Sequence, residues 1–240
     1  MTGNSMECVS LRDNEIHVWT ARLIGDDAAA AEFTPILDRD ERARAALFAF
    51  ELDRKHFIQS HGFLRRVLAR YAGRDAAELV FTRDHHGKPC LMPFSSADLH
   101  FSLSHSRDCC VVGVRLQYPL GVDVEERRDL PDAVDIAYQQ FAPDEGRQLA
   151  RLTGIAQRDA FLALWTHKEA VVKALGVNLG ANLRSTEFEF AAGQLRLKSW
   201  NGDMSIVRNW SVFPLDLGVG HIGALATVHP FQNLKLQSWD

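Results

Sequence analysis

A chain of 240 residues with 46% hydrophobic and 24% charged residues has an ordinary globular composition and can bury a sizeable core, as one large domain or two small ones. Its formal net charge of −4 lacks the basic excess of a general nucleic-acid binder, and no apolar run approaches the roughly 18 residues a membrane-spanning helix needs. The opening MTGNSMECVSLRDNEIHVW carries Asp13 and Glu15 instead of the basic-then-apolar order of a signal peptide, and Cys8, Cys90, Cys109 and Cys110 form no Cys-x-x-Cys pair. The expectation is a cytoplasmic protein with reduced thiols that engages neither nucleic acid nor membrane.

Residues 16–20 alternate like a first strand. Asp38 is placed to cap a helical stretch that runs to Tyr71, with Gly73 as its stop; its length demands a break near Glu51-Leu52-Asp53, where Asp53 is a second cap. Strand-like segments follow at 79–81, 99–103 and 110–116, and Gln117-Tyr118-Pro119 punctuates the chain before another short strand at 121–125. Helical patterns return at 132–141, 143–152 and 156–175, the last ended by Gly176; Pro143 suits a first helical position, with Asp144 and Glu145 in the favourable first turn. Strands are then expected at 186–190, 194–200, 205–213 and 219–228. The hairpin LHFSLSHSRDCCVVGVRL is similar to WSVFPLDLGVGHIGALATV, which suggests two related α+β halves meeting near Gln117; convergence of two ordinary hairpins explains the likeness nearly as well.

Three clusters hold chemistry-bearing residues. In Gly121-Val122-Asp123-Val124-Glu125 a strand puts Asp123 and Glu125 on one face, roughly 6–7 Å apart at Cα, and turns both valines to the core. Paired carboxylates repel unless a cation lies between them, and hard oxygen ligands suit magnesium; a solvated strand end is the bland alternative. In WTHKEAVVKALG, Trp165, Glu169 and Lys173 share a helix face at spacings of four. A surface Glu–Lys pair is one account. The apolar neighbours Ala170, Val171 and Leu175 favour a buried carboxylate and ammonium that need partners, which a metal and a phosphate would supply. The third cluster joins the turn Gly87-Lys88-Pro89 to FSLSHS, where Ser102 and Ser104 line one face of a strand. Ser104 and His105 point to opposite faces, a poor arrangement for a nucleophile and its base, which disfavours a hydrolase triad.

Taken in order, GKP, FSLSHS, GVDVE and WTHKEAVVKALG resemble the motif set of the Sfp-type 4′-phosphopantetheinyl transferases, and DERARAALFAFELDRKHFIQSHGFLRRVLARY resembles that family's N-terminal region, so the likeness spans roughly residues 38–180. The resemblance implies an α+β fold of two pseudo-symmetric halves, residues 1–118 and 119–240, each with helices packed on a small antiparallel sheet. Coenzyme A would lie in the cleft between them, its nucleotide on the first half and the metal and catalytic residues on the second. It further implies Mg2+ held by Asp123, Glu125 and Glu169, with Glu169 and Lys173 catalytic. Coenzyme A contacts would come from Arg44, Arg65, Lys88, Ser104, His105, Lys168 and Lys173. The implied reaction moves phosphopantetheine from coenzyme A to a serine of an apo acyl or peptidyl carrier protein, releasing 3′,5′-ADP, in a monomer. Thr166 stands where the family often has serine, and Glu41 stands in a region where a further lysine is expected. Two other classes share some of these features. A metal-dependent phosphodiesterase or nuclease commonly has lysine two residues after the second acid, where this chain has Arg127; a non-catalytic carrier-binding module has no need of three metal-facing carboxylates.

Overall fold

A computed structural model describes residues 8–92, 98–177, 182–191 and 194–239; the first seven residues of the N-terminal segment discussed above lie outside it. The first half runs β1 (Glu15–Arg22), α1 (Asp27–Phe33), α2 (Arg39–Ala45), α3 (Glu51–Ala72), β2 (Phe81–Arg83), β3 (Pro89–Leu91), β4 (Leu99–Ser106) and β5 (Cys109–Leu116). The second half repeats the plan with β6 (Leu120–Glu126), α4 (Ala133–Gln140), α5 (Pro143–Leu149), α6 (Gly154–Leu175), β7 (Thr186–Ala191), β8 (Gln194–Trp200), β9 (Trp210–Leu215) and β10 (His221–Val228). In each half the first strand pairs antiparallel with the last, which pairs with the one before it: β1-β5-β4 and β6-β10-β9. The two hairpins that look alike in sequence are thus equivalent in topology. A final strand, β11 (Asn233–Trp239), returns to the first sheet and pairs parallel with β1, across the sequence boundary near Gln117.

Local chemistry explains most of the element ends. Asp38 accepts the amide of Glu41 while Glu41 accepts that of Asp38, a capping box that starts α2. Gly73 and Gly176 end the two long helices at φ 61° and 75°, where a side chain would be strained. The expected helix break is present, but α3 starts from Phe50 without a side-chain cap, not from Asp53. The strand expected at 79–81 lies at β2, and part of the 205–213 segment is a 3-10 turn, Ile206–Asn209, before β9. Three of the named elements went unrecognised in the sequence: α1, although Asp26 caps its Ala-rich run; the short strand β3, which follows the Gly-Lys turn; and β11, although Leu234 and Leu236 alternate there.

Beside a small cluster of Ala30, Leu37, Ala45, Phe57 and Ile58, three apolar layers result. One lies between α3 and the first sheet, one between α6 and the second, and a third, of Ile16, Val18, Val111, Leu120, Val122, Val124, Leu215 and Leu225, joins the two sheets. The 22-residue helices α3 and α6 each bury one cation at their fifteenth position, Arg65 and Lys168, both 0% exposed. Arg65 donates to Glu41 and Asp38, each at 2.6 Å, and to the carbonyls of Ala76 and Leu79 at 3.0 Å. Lys168 pairs with Glu145 at 2.8 Å and donates to the carbonyls of Leu183 and Thr186. Glu41 and Glu145 are both the third residue of a seven-residue helix, α2 and α5. Each cation therefore ties a short helix to the chain that follows the long one, which is how a charge becomes tolerable at full burial. Replacing Glu145 by Gln leaves Lys168 charged without its counter-ion and is expected to cost about 3–5 kcal/mol. Adding Lys168→Met should recover part of that loss; urea unfolding of the single and double variants checks both.

Candidate active site

Gly121 opens the approach of β6 to α6: a Cβ there would run into the Ala170 carbonyl and the Ala174 amide of the helix. With no side chain the two backbones meet, and Asp123, two residues on and on the same face, comes against Glu169 and Lys173. Lys173 Nζ lies 2.5 Å from Asp123 Oδ1 and 3.5 Å from Glu169 Oε2. Asp123 and Glu169 are both buried, and Asp123 Oδ2 has no hydrogen-bond partner. Burial and the adjacent Asp123 charge push the Glu169 carboxyl up to about 8, against the opposing pull of Lys173. Glu125 is raised as well, by burial and then by Asp123, while a hydrogen bond from Ser106 acts the other way.

The third wall is β4. Ser102, Ser104 and Ser106 alternate along it, and their hydroxyls accept the backbone N–H groups of Val122, Val124 and Glu126 at 3.1, 3.4 and 3.1 Å. Ser104 and Ser106 in turn donate hydrogen bonds to Asp123 Oδ1 at 2.8 Å and Glu125 Oε2 at 2.9 Å. Lys173 also donates to Ser104 Oγ, at 3.0 Å. Among the described residues no three acid, histidine or cysteine side chains converge as a ready-made cation cage; the ammonium of Lys173 stands between Asp123 and Glu169. The donor set nonetheless fits a hard divalent cation. Three carboxylates come from adjacent elements, two of them raised by mutual repulsion and burial, and one buried oxygen is unpartnered.

From Lys173 a cleft of about 470 Å³ extends between α2, α3 and the β2–β3 hairpin. Lys88 lies on its floor. Its ammonium donates to the carbonyls of Leu120 at 3.1 Å and Ala174 at 3.4 Å, a cation at the negative end of α6, and burial pulls its pKa down to about 8. Exposed Arg44 also lines the cleft, its guanidinium 5.3 Å over the Phe57 ring. His105 is exposed, on the face of β4 opposite the serines.

The structure thus brings Asp123, Glu125, Glu169, Lys173 and Ser104 together, and places Lys88 and Arg44 along the adjoining cleft. Arg65 and Lys168 do not join them. Both are fully buried and engaged as structural clamps, so the direct phosphate contacts expected of them are corrected to supporting roles. Among the cleft residues not singled out in the sequence are two histidines. His61 stacks on Phe57 at 4.0 Å and bonds Glu41 at 3.1 Å, and His86 lies beside Gly87-Lys88. Only for His86 was there a local signal, its place next to the Gly-Lys-Pro turn.

Two family models cover most of the chain: the 4′-phosphopantetheinyl transferase superfamily matches residues 119–219, and the 4′-phosphopantetheinyl transferase N-terminal family matches residues 27–116. The 4′-phosphopantetheinyl transferase HetI of Nostoc sp. is 32% identical over 169 residues, 70% of this chain and 71% of that protein. The chain belongs to the 4′-phosphopantetheinyl transferase family. The family's Sfp of Bacillus subtilis is 28% identical over 153 residues, 64% of this chain and 66% of Sfp. The holo-[acyl-carrier-protein] synthase structure of Thermotoga maritima matches with a TM-score of 0.37 at 23% identity, over 47% of this chain and 63% of that one. Several other relatives are spanned over somewhat less than two thirds of their length, down to 53% for a Xenopus laevis transferase.

In the metal-free protein Glu169 holds a proton that the unfolded chain releases above about 4.5, so this group lowers stability as pH rises from there towards 8. Carboxyl 13C NMR should find its midpoint near 8. In Asp123→Asn the midpoint should fall without reaching the usual range, since burial remains the larger cause; an unmoved midpoint would contradict the assignment.

Proposed function

We propose that this chain, as a phosphopantetheinyl transferase, moves the phosphopantetheine of coenzyme A onto a serine of an apo carrier protein, with Mg2+ held by Asp123, Glu125 and Glu169. The observation that carries this reading is the buried, unpartnered Oδ2 of Asp123 set among two further carboxylates and a lysine, at the end of a cleft with a basic floor. When bound, the cation supplies Lewis-acid polarisation of the pyrophosphate and a template for its approach.

The chain's own residues supply the rest. The carrier serine Oγ forms a bond to the phosphorus bearing pantetheine, the bond from that phosphorus to the bridging oxygen breaks, and 3′,5′-ADP departs with the electron pair. Glu169 accepts the serine proton; the cation it would ligate favours its ionised form, which is the form able to do so. Lys173 leaves Asp123 for the pyrophosphate and offsets charge growing on the leaving group. Lys88 fixes the depth at which the nucleotide phosphates lie, because its own position is set by two carbonyls at the end of α6. Arg44 and His61 form the outer wall of the same cleft. Both halves of the cleft belong to one chain joined by a shared core, which supports action as a monomer.

Asp123→Ala should fold and yet lose at least about a hundredfold of its rate of carrier labelling, the scale on which preorganised electrostatic groups act. Incubation with coenzyme A, magnesium and a panel of apo carrier proteins, read by intact mass, gives the result; unimpaired labelling would contradict the site.

A further inference from the structure

The serines of β4 are unequal. Ser102, Ser104 and Ser106 each accept one β6 amide, but only Ser104 and Ser106 donate in turn to a carboxylate in the bonds described above. Ser104 also receives Lys173 and is itself one of the residues for which the resemblance implies a coenzyme A contact. Ser106 has no such second task. Its oxygen takes the N–H of Glu126 and its proton goes to Oε2 of Glu125, so one hydroxyl is bonded to two successive residues of β6.

That geometry removes a freedom. A hydroxyl donates a single proton, and its direction is constrained once a lone pair is engaged by a backbone amide. Glu125 is only partly buried and sits near the end of β6, where its side chain has rotamers open to it; Asp123, by contrast, is enclosed and held by Lys173 and Ser104. The beginning of the β4–β5 turn is held on the same carboxylate-rich edge, because Arg107 pairs with Glu126 at 3.4 Å. We infer that Ser106 is a positioning residue, which acts through Glu125 by fixing the orientation in which that carboxylate meets the divalent cation. The inference rests on the metal-dependent reading above. Outer hydroxyl partners of ligating carboxylates carry much of a site's affinity, and their loss typically weakens metal binding about 10–100-fold.

Manganese titrated into the full chain in the presence of saturating coenzyme A, and followed by electron paramagnetic resonance, reads this without recourse to turnover. Ser106→Ala should weaken manganese binding about tenfold or more, and the magnesium concentration for half-maximal labelling should rise in parallel while KM for coenzyme A at saturating metal holds. Ser106→Thr keeps the hydroxyl and should restore binding. Ser102→Ala deletes the equivalent amide acceptor with no carboxylate behind it, so it should lower thermal stability and leave the manganese midpoint in place. If Ser106→Ala fails to fold, Ser106→Cys, similar in size but a weak donor, takes its place. Wild-type affinity in the Ser106 variants, or an equal loss in Ser102→Ala, would overturn the positioning role while leaving the metal reading intact. No manganese uptake by the wild type would overturn that reading and this inference with it.

Discussion

The site depends on a seam at which two sheet edges meet without pairing as a sheet. An edge strand presents amides that must be satisfied once it is buried. On β6 those amides belong to Val122, Val124 and Glu126, and the hydroxyls of Ser102, Ser104 and Ser106 accept them. A backbone carbonyl would have ended the matter there, since it only accepts. A hydroxyl retains a proton to give, and two of the three give it to the acids of the same strand. The joint between the halves and the polarity of the site are therefore one set of hydrogen bonds. A core of Val122, Val124 and their neighbours lies directly beneath and sets the register.

Two halves of one plan hold a single chemical centre. Matching the two sheets by their pairing registers, the Trp19–Val112 pair of β1 and β5 corresponds to the Asp123–Ala224 pair of β6 and β10. Counting along the equal helices, Arg66 and Arg70 of α3 take the places of Glu169 and Lys173 of α6. In the first half Arg70 lies 4.9 Å over the Trp19 ring, with Trp239 of β11 packed at 5.8 Å beside it. Aromatic packing fills the position that carries acids in the second half, and β11 covers β1 where β4 meets β6. The clamps Arg65 and Lys168, by contrast, are retained in both halves because both need a short helix fixed to the end of a long one.

What was legible in the sequence followed from spacing within a single element. Asp123 and Glu125 share a strand face and Glu169 and Lys173 a helix face whatever the fold; that the two pairs form one site came from the resemblance of the ordered motifs to a known family. Arg65 and Lys168 were misread because a resemblance transfers a residue's place in a motif and not its burial. Charge at a helical position is visible in a sequence, but whether that position faces a cleft or the core depends on which strands the helix covers. The cleft wall was hidden for a related cause: His61 is a mid-helix histidine until α2 brings Glu41 to it. The strand β11 was overlooked because its partner, β1, lies more than two hundred residues away, beyond any local pattern.

A crystal structure of the chain with coenzyme A and magnesium tests the account most directly. The account predicts a cation bound by Asp123, Glu125 and Glu169, with the Lys173 ammonium moved from Asp123 to a phosphate and the Ser106 bond to Glu125 intact. A cation bound elsewhere, or Lys173 still seated on Asp123 with coenzyme A in the cleft, would contradict it.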